Sequence, residues 1–133
     1  MKQITVISVP VTDQEKAKVF YTEVVGFELI ADNSFGDEMR WIQVGPKGSA
    51  ASLTLVDWFD DMTPGSLRGL VIETDDLEAD YVTMSQRGVP FDGPPSRQPG
   101  GVFATLSDPD GNRISLRQAG GRTGREERLM SGR

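Results

Sequence analysis

The chain has 133 residues, enough for one domain and short for two of ordinary size. Apolar residues make up 37% and charged residues 26%, a globular balance, and 20 acidic against 14 basic side chains give a net charge of -6 that disfavours a nucleic-acid partner. There is no cysteine and no histidine, which excludes disulfides, zinc-thiolate sites, thiol nucleophiles, histidine triads and histidine-ligated metals.

No stretch approaches the roughly 18 consecutive apolar residues of a membrane span, and no signal-peptide core follows Met1. A cytoplasmic location without a membrane partner is the expectation. Residues 4–11 are rich in β-branched side chains and predict a strand. Thr12 opens the run T-D-Q-E, a capping-box pattern with Thr12 as N-cap and Glu15 three positions on. Ala17, Phe20, Tyr21, Val24 and Val25 then recur at helical spacing, which predicts an amphipathic helix over 13–25, stopped by Gly26. Strands are expected at Phe27–Ala31, Glu38–Val44 and Ala51–Val56, separated by turn-forming residues.

The second half repeats this order. It predicts a strand at Arg68–Thr74, a helix at Asp75–Arg87 ending at Gly88, and strands at Val89–Phe91, Val102–Leu106 and Arg113–Arg117. Thr12, Asp13, Ala17 and Gly26 have counterparts in Thr74, Asp75, Ala79 and Gly88 at one constant offset, so we read an internal repeat. Asp57 to Ser66, with its Pro64-Gly65 turn, reads as a linker. Residues 119–133 are Gly- and Arg-rich without apolar periodicity, and read as a flexible tail.

The helix-one residues (Asp13, Ala17, Phe20, Tyr21, Gly26, Phe27) and the run Asp108-Pro109-Asp110-Gly111-Asn112 together resemble the vicinal oxygen chelate superfamily, over about residues 3–118. That group includes glyoxalases, extradiol dioxygenases and bleomycin-binding proteins. The resemblance implies an α+β fold of two βαβββ modules, here 1–60 and 67–118, forming a cleft, with homodimers common. D-P-D-G-N itself is turn chemistry, a proline presetting φ ahead of a glycine, and is expected to join the last two strands. Metal-dependent members carry ligands on four strands. The matching positions here are Val6, Thr54, Arg68 or Gly69, and Ser115, which cannot cage a transition metal. No metal and no cofactor are therefore expected.

Metal-free relatives mostly bind, several of them sequestering antibiotics. Side chains suited to that are Trp41, Trp58, Phe35, Met39, Phe59 and Phe103 as apolar or aromatic surface, with Gln43, Thr54 and Ser115 as hydrogen-bonding groups. Each has an alternative. Trp41 serves equally as core, Phe103 fits the core, and Trp58 with Phe59 fits under the module junction or in a dimer interface. In a strand Met39, Trp41 and Gln43 share one face and Arg40, Ile42 and Val44 the other, and the spacing leaves open which face is functional. The run Arg97 to Gly101 resembles the flexible loop that closes over the cleft in relatives. The expected function is non-catalytic binding of a hydrophobic or polycyclic aromatic molecule, most concretely antibiotic sequestration. The alternative is a metal-independent isomerase or hydrolase with a carboxylate base, Glu73 or Asp57 first.

Overall fold

The computed structural model describes residues 1–119; the tail expected at 119–133 lies outside the described residues except for Ala119. The element order is β1 (Val6–Pro10), α1 (Gln14–Val19), β2 (Glu28–Phe35), β3 (Met39–Gly45), β4 (Ser52–Val56), β5 (Leu70–Glu73), α2 (Leu77–Gln86), β6 (Ser96–Gln98), β7 (Gly101–Ser107) and β8 (Arg113–Ala119). The strands form two four-stranded sheets, β1-β4-β3-β2 and β5-β8-β7-β6, each with one parallel pairing. This is the α+β, twice-repeated architecture that the sequence implies. By packing the described residues form two compact units, Met1–Arg68 with Asp108–Arg113, and Gly69–Ser107 with Ile114–Ala119.

In the first unit, β1 runs parallel to β4, while β3 is antiparallel to β4 and β2. Val9, Ile42, Val44, Leu53 and Leu55 are buried together with Ala17, Phe20, Tyr21 and Val25. The helix thus covers the sheet face that carries Ile42 and Val44. α1 continues as a π-helical turn over Phe20–Val25, and this extra residue per turn leaves Val24 only half-buried.

The N-cap is Asp13, whose carboxylate accepts from the Lys16 N–H at 3.0 Å, and not Thr12. The Thr12 hydroxyl is taken by a distant partner, donating to Asp110 Oδ1 at 2.6 Å. Glu15, freed from a capping box, pairs with Arg40 at 3.0 Å. Arg40 also donates from Nε and Nη2 to Asp32 at 2.9 and 2.8 Å, and Lys18 meets the same carboxylate at 2.8 Å. Hydrogen bonds from Arg40, then from Lys18, hold the Asp32 carboxyl well below the usual range. A carboxylate depressed by folding stabilises above its unfolded pKa and loses that contribution as pH falls. Asp32→Asn is expected to cost about 1–2 kcal/mol at neutral pH. In urea titrations its gap from wild type should narrow steadily below about pH 4; a gap independent of pH would contradict the assignment.

The D-P-D-G-N run is more than a turn. Asp108 and Asn112 are 5% and 0% exposed, so each polar atom needs a partner. Asp108 accepts from the Tyr21 hydroxyl at 2.8 Å, the backbone N–H groups of Asp110 and Asn112, and Asn112 Nδ2 at 2.8 Å. Burial first, then the Asp108 carboxylate, pushes the Tyr21 phenol far above its ordinary pKa, so it stays a donor. Asn112 Nδ2 also donates to the Pro10 carbonyl at 2.8 Å, and its Oδ1 accepts from the Leu67 N–H at 3.0 Å. The stretch read as a linker, Asp57 to Ser66, belongs to this unit too. Gly65 sits at φ +83, where a Cβ would come 2.1 Å from the Asp110 carbonyl oxygen.

In the second unit α2 is capped by Asp76, which accepts from the Ala79 N–H at 3.1 Å; this is one residue beyond the repeat partner Asp75. Leu77, Met84, Ala104, Leu106, Ile114 and Leu116 form its core. The strand expected at Val89–Phe91 is absent. Only Phe91 pairs, in a single bridge to Leu106, because Pro90 has no N–H to donate and Gly93-Pro94-Pro95 follow at once. The paired strand comes later, at Ser96–Gln98, against β7. The run Arg97 to Gly101, expected as a flexible closing loop, is instead a hairpin whose Pro99-Gly100 turn has the positive φ at Gly100 that such a turn requires. Arg117 Nε ties it down, donating to the Gly100 carbonyl at 2.8 Å.

Candidate functional site

Cross-strand partners share a face, so register decides which side chains gather on the helix-free side of the first sheet. Gln43 lies opposite Thr54 on β4 and Ala31 on β2, and Thr54 opposite Ser8 on β1. Trp41 lies opposite Asn33, and Met39 opposite Phe35. The face therefore carries Val6 and Ser8, Ser52 and Thr54, Met39, Trp41 and Gln43, and Ala31, Asn33 and Phe35. None of these side chains is charged; the register adds one carboxylate at the far end of the face, the exposed Glu28 opposite Gly45, while Arg40 and Asp32 point to the helix side.

Trp58 follows β4 and lies against Trp41, with ring centroids 6.2 Å apart and planes 24° from parallel. Phe59 flanks Trp58 at 5.8 Å, tilted by 48°. Three of the aromatic candidates thus form one cluster in the first unit, with Trp41 and Trp58 half-buried and Phe59 exposed. Pairs of this geometry contribute about 0.5–1.5 kcal/mol beyond area burial. Their partial exposure leaves ring surface for a further flat group. Phe35 and Met39 lie beside each other on the same face but are exposed, 59% and 37%.

The polar candidates divide. The Trp41 indole Nε1 donates to Gln43 Oε1 at 3.0 Å, and Gln43 Nε2 donates to Ser52 Oγ at 2.7 Å. Gln43 is thus engaged at both ends. Thr54 is 1% exposed, and its hydroxyl has no hydrogen-bond partner among the described residues. Ser115 and Phe103 lie in the second unit. The Ser115 and Thr105 hydroxyls are 2.9 Å apart, and Phe103 lines an open recess of about 240 Å³ with Asp92, Pro94, Ser96, Gln98 and Thr105. Sequence reasoning missed Ser52 and Thr105; their alternation with buried apolar neighbours is the only signal that could have found them.

At the positions that match the metal ligands of relatives stand Val6, Thr54, Arg68 or Gly69, and Ser115. By register Ser8 is the strand neighbour of Thr54, and Val71 that of Ser115. Neither set offers an imidazole or a carboxylate, so the residues do not fit a divalent transition metal, and no step is derived through one. Among the described residues no three His, Cys, Asp or Glu side chains cluster to hold an ion. The carboxylates considered as bases are peripheral: Asp57 is exposed, and Glu73 is exposed with Arg117 at 3.3 Å.

Fold and face together place the chain in a known class. Residues 3–116 match the family model of the Glyoxalase/Bleomycin resistance protein/Dioxygenase superfamily, and the chain belongs to that superfamily. Among solved structures it is similar to TnmS3, an antibiotic binding protein from Streptomyces sp. CB03234, with 55% identity and a TM-score of 0.84, covering 90% of this chain and 97% of that one. A superfamily member from Sphaerobacter thermophilus DSM 20745 is 35% identical with a TM-score of 0.83, covering 89% and 98%. The protein YetH of Bacillus subtilis (strain 168) is 40% identical over 121 residues, 89% of this chain and 99% of its own. No helix among the described residues is long and apolar enough to cross a membrane.

Proposed function

We propose that the protein binds a hydrophobic, polycyclic aromatic small molecule and holds it unchanged, as an antibiotic-sequestering protein of the cytoplasm. The observation that carries this reading is the half-buried Trp41–Trp58 stack on a helix-free sheet face whose neighbouring side chains are uncharged. Uncharged surroundings suit a ligand recognised by stacking and apolar burial, since the side chains beside the stack supply no countercharge to offset desolvation of an ion. The likeness to an antibiotic binding protein at 55% identity supports the same class of ligand. A homodimer belongs to this reading, supported by the family resemblance.

Native mass spectrometry with a panel of polycyclic aromatic antibiotics tests both parts. The expected species is a dimer at twice the 14.5 kDa chain mass, carrying ligand. A single-chain mass at micromolar concentration removes the homodimer, and the absence of any ligand-bound species across the panel removes the binding reading.

A further inference from the structure

Stacking affinity depends on how well a platform is held before the ligand arrives, because every rotamer frozen on binding costs about 0.5–1.5 kcal/mol. An indole on a strand has two side-chain torsions to fix, and neighbouring rings fix them weakly. On this face a specific chain of hydrogen bonds does it. The Trp41 N–H is 3.0 Å from Gln43 Oε1, Gln43 Nε2 is 2.7 Å from Ser52 Oγ, and the Ser52 hydroxyl points back to the Thr5 carbonyl at 3.5 Å. Ser52 is 5% exposed and opens β4, an inner strand of the sheet, so the chain of bonds ends on a buried residue. Trp41 and Gln43 are two apart on β3, and the amide reaches along the strand to the indole edge.

We infer that Gln43 is a positioning residue: it fixes the plane of Trp41 against Trp58 and is not a hydrogen-bonding contact for the ligand. The inference rests on the aromatic-binding reading above for its consequence, but not for its structural content. Its amide oxygen is spent on the indole and its amide nitrogen on Ser52, so the group expected from sequence to greet the ligand faces its own fold. The face then offers the ligand ring surface with its main polar groups already paired, which selects flat uncharged molecules over ones that need a donor from Gln43. Gln43→Glu keeps an acceptor for the indole N–H and lets the Ser52 hydroxyl donate to the new carboxylate. Gln43→Met keeps the length of the side chain and removes both bonds.

The chain has 2 tryptophans, so the near-ultraviolet circular dichroism of the tryptophans reports this pair alone. In ligand-free protein, Gln43→Met is expected to lose most of the tryptophan dichroism while unfolding cooperatively, and Gln43→Glu to retain it. Aminoanthracene, an uncharged three-ring probe followed by its fluorescence, is expected to bind Gln43→Met about tenfold more weakly than wild type. Tryptophan dichroism that survives in Gln43→Met overturns the inference. If Gln43→Met does not fold, Ser52→Ala takes its place: it removes the anchor of the amide, and an unchanged spectrum there overturns the inference as well. If the dichroism is lost in the variant but aminoanthracene fails to bind wild type, the positioning role stands and the aromatic-binding reading fails.

Discussion

Asn112→Ala is expected to lower folding stability by about 3 kcal/mol, a fall of about 10 °C in Tm. The side chain is fully buried and satisfies three partners at once: the Pro10 carbonyl, the Leu67 N–H and the Asp108 carboxylate. Pro10 keeps a second donor in the Gly65 N–H at 3.1 Å, and Asp108 keeps Tyr21, but the Leu67 N–H has no substitute. The part-buried Leu67 N–H left without a partner falls at the low end of the about 1–3 kcal/mol that an unpaired buried donor costs, and loss of a bond to a charged acceptor adds about 1.5–3. Asn33→Ala, on an exposed stretch of β2, is the control and should stay within about 0.5 kcal/mol of wild type. Thermal and urea unfolding of both variants check this. A loss below about 1 kcal/mol for Asn112→Ala would mean that the D-P-D-G-N run is only a turn.

Trp58→Ala and Trp41→Ala are expected to weaken aromatic-ligand binding at least tenfold, about 1.4 kcal/mol each. Both rings are half-buried, so each serves two purposes, and stability should fall as well. A fully buried tryptophan truncated to alanine costs about 3–5 kcal/mol, and the partial exposure of these two places them below that range. The two measurements separate the roles. Ligand affinity by fluorescence titration and Tm are read on the same samples; affinity retained in both variants, whatever happens to Tm, would remove the stacked pair as the platform. The effects should not add, because removing either ring already destroys the 6.2 Å pair.

Local signals in the sequence were sufficient for the fold. The β-branched run at 4–11, the helical spacing of Ala17, Phe20 and Tyr21, and their repetition in the second half each map onto an element of the structure. The departures occur where a distant partner outbids a local one. Thr12 has the ideal pattern for an N-cap, but Asp110, 98 residues away, takes its hydroxyl and Asp13 caps instead. Val89–Phe91 has strand composition, yet Pro90 inside it has no N–H to donate, Gly93-Pro94-Pro95 turn the chain away, and only one bridge forms.

The candidate site was legible as a set of residues but not as an arrangement. Trp41 was visible as one of two faces of a strand, and only the packing of α1 on Ile42 and Val44 decides between them. Trp58 and Phe59 looked like linker residues because nothing local shows that the chain folds back over β3. Gln43 has the chemistry of both a donor and an acceptor, and that chemistry is consumed within the protein by Trp41 and Ser52. Phe103 and Ser115 lie on the second sheet, where Thr105 and the recess beside Phe103 are their immediate surroundings.

The central claim is binding without turnover. It is tested most directly by incubating the protein with a polycyclic aromatic antibiotic that it retains in a native spectrum, then extracting the small molecule and measuring its mass against a protein-free control. The account predicts full recovery of the starting molecule at unchanged mass. A new mass that accumulates with time, and disappears in Trp41→Ala, would show that the same face supports a reaction and would contradict it.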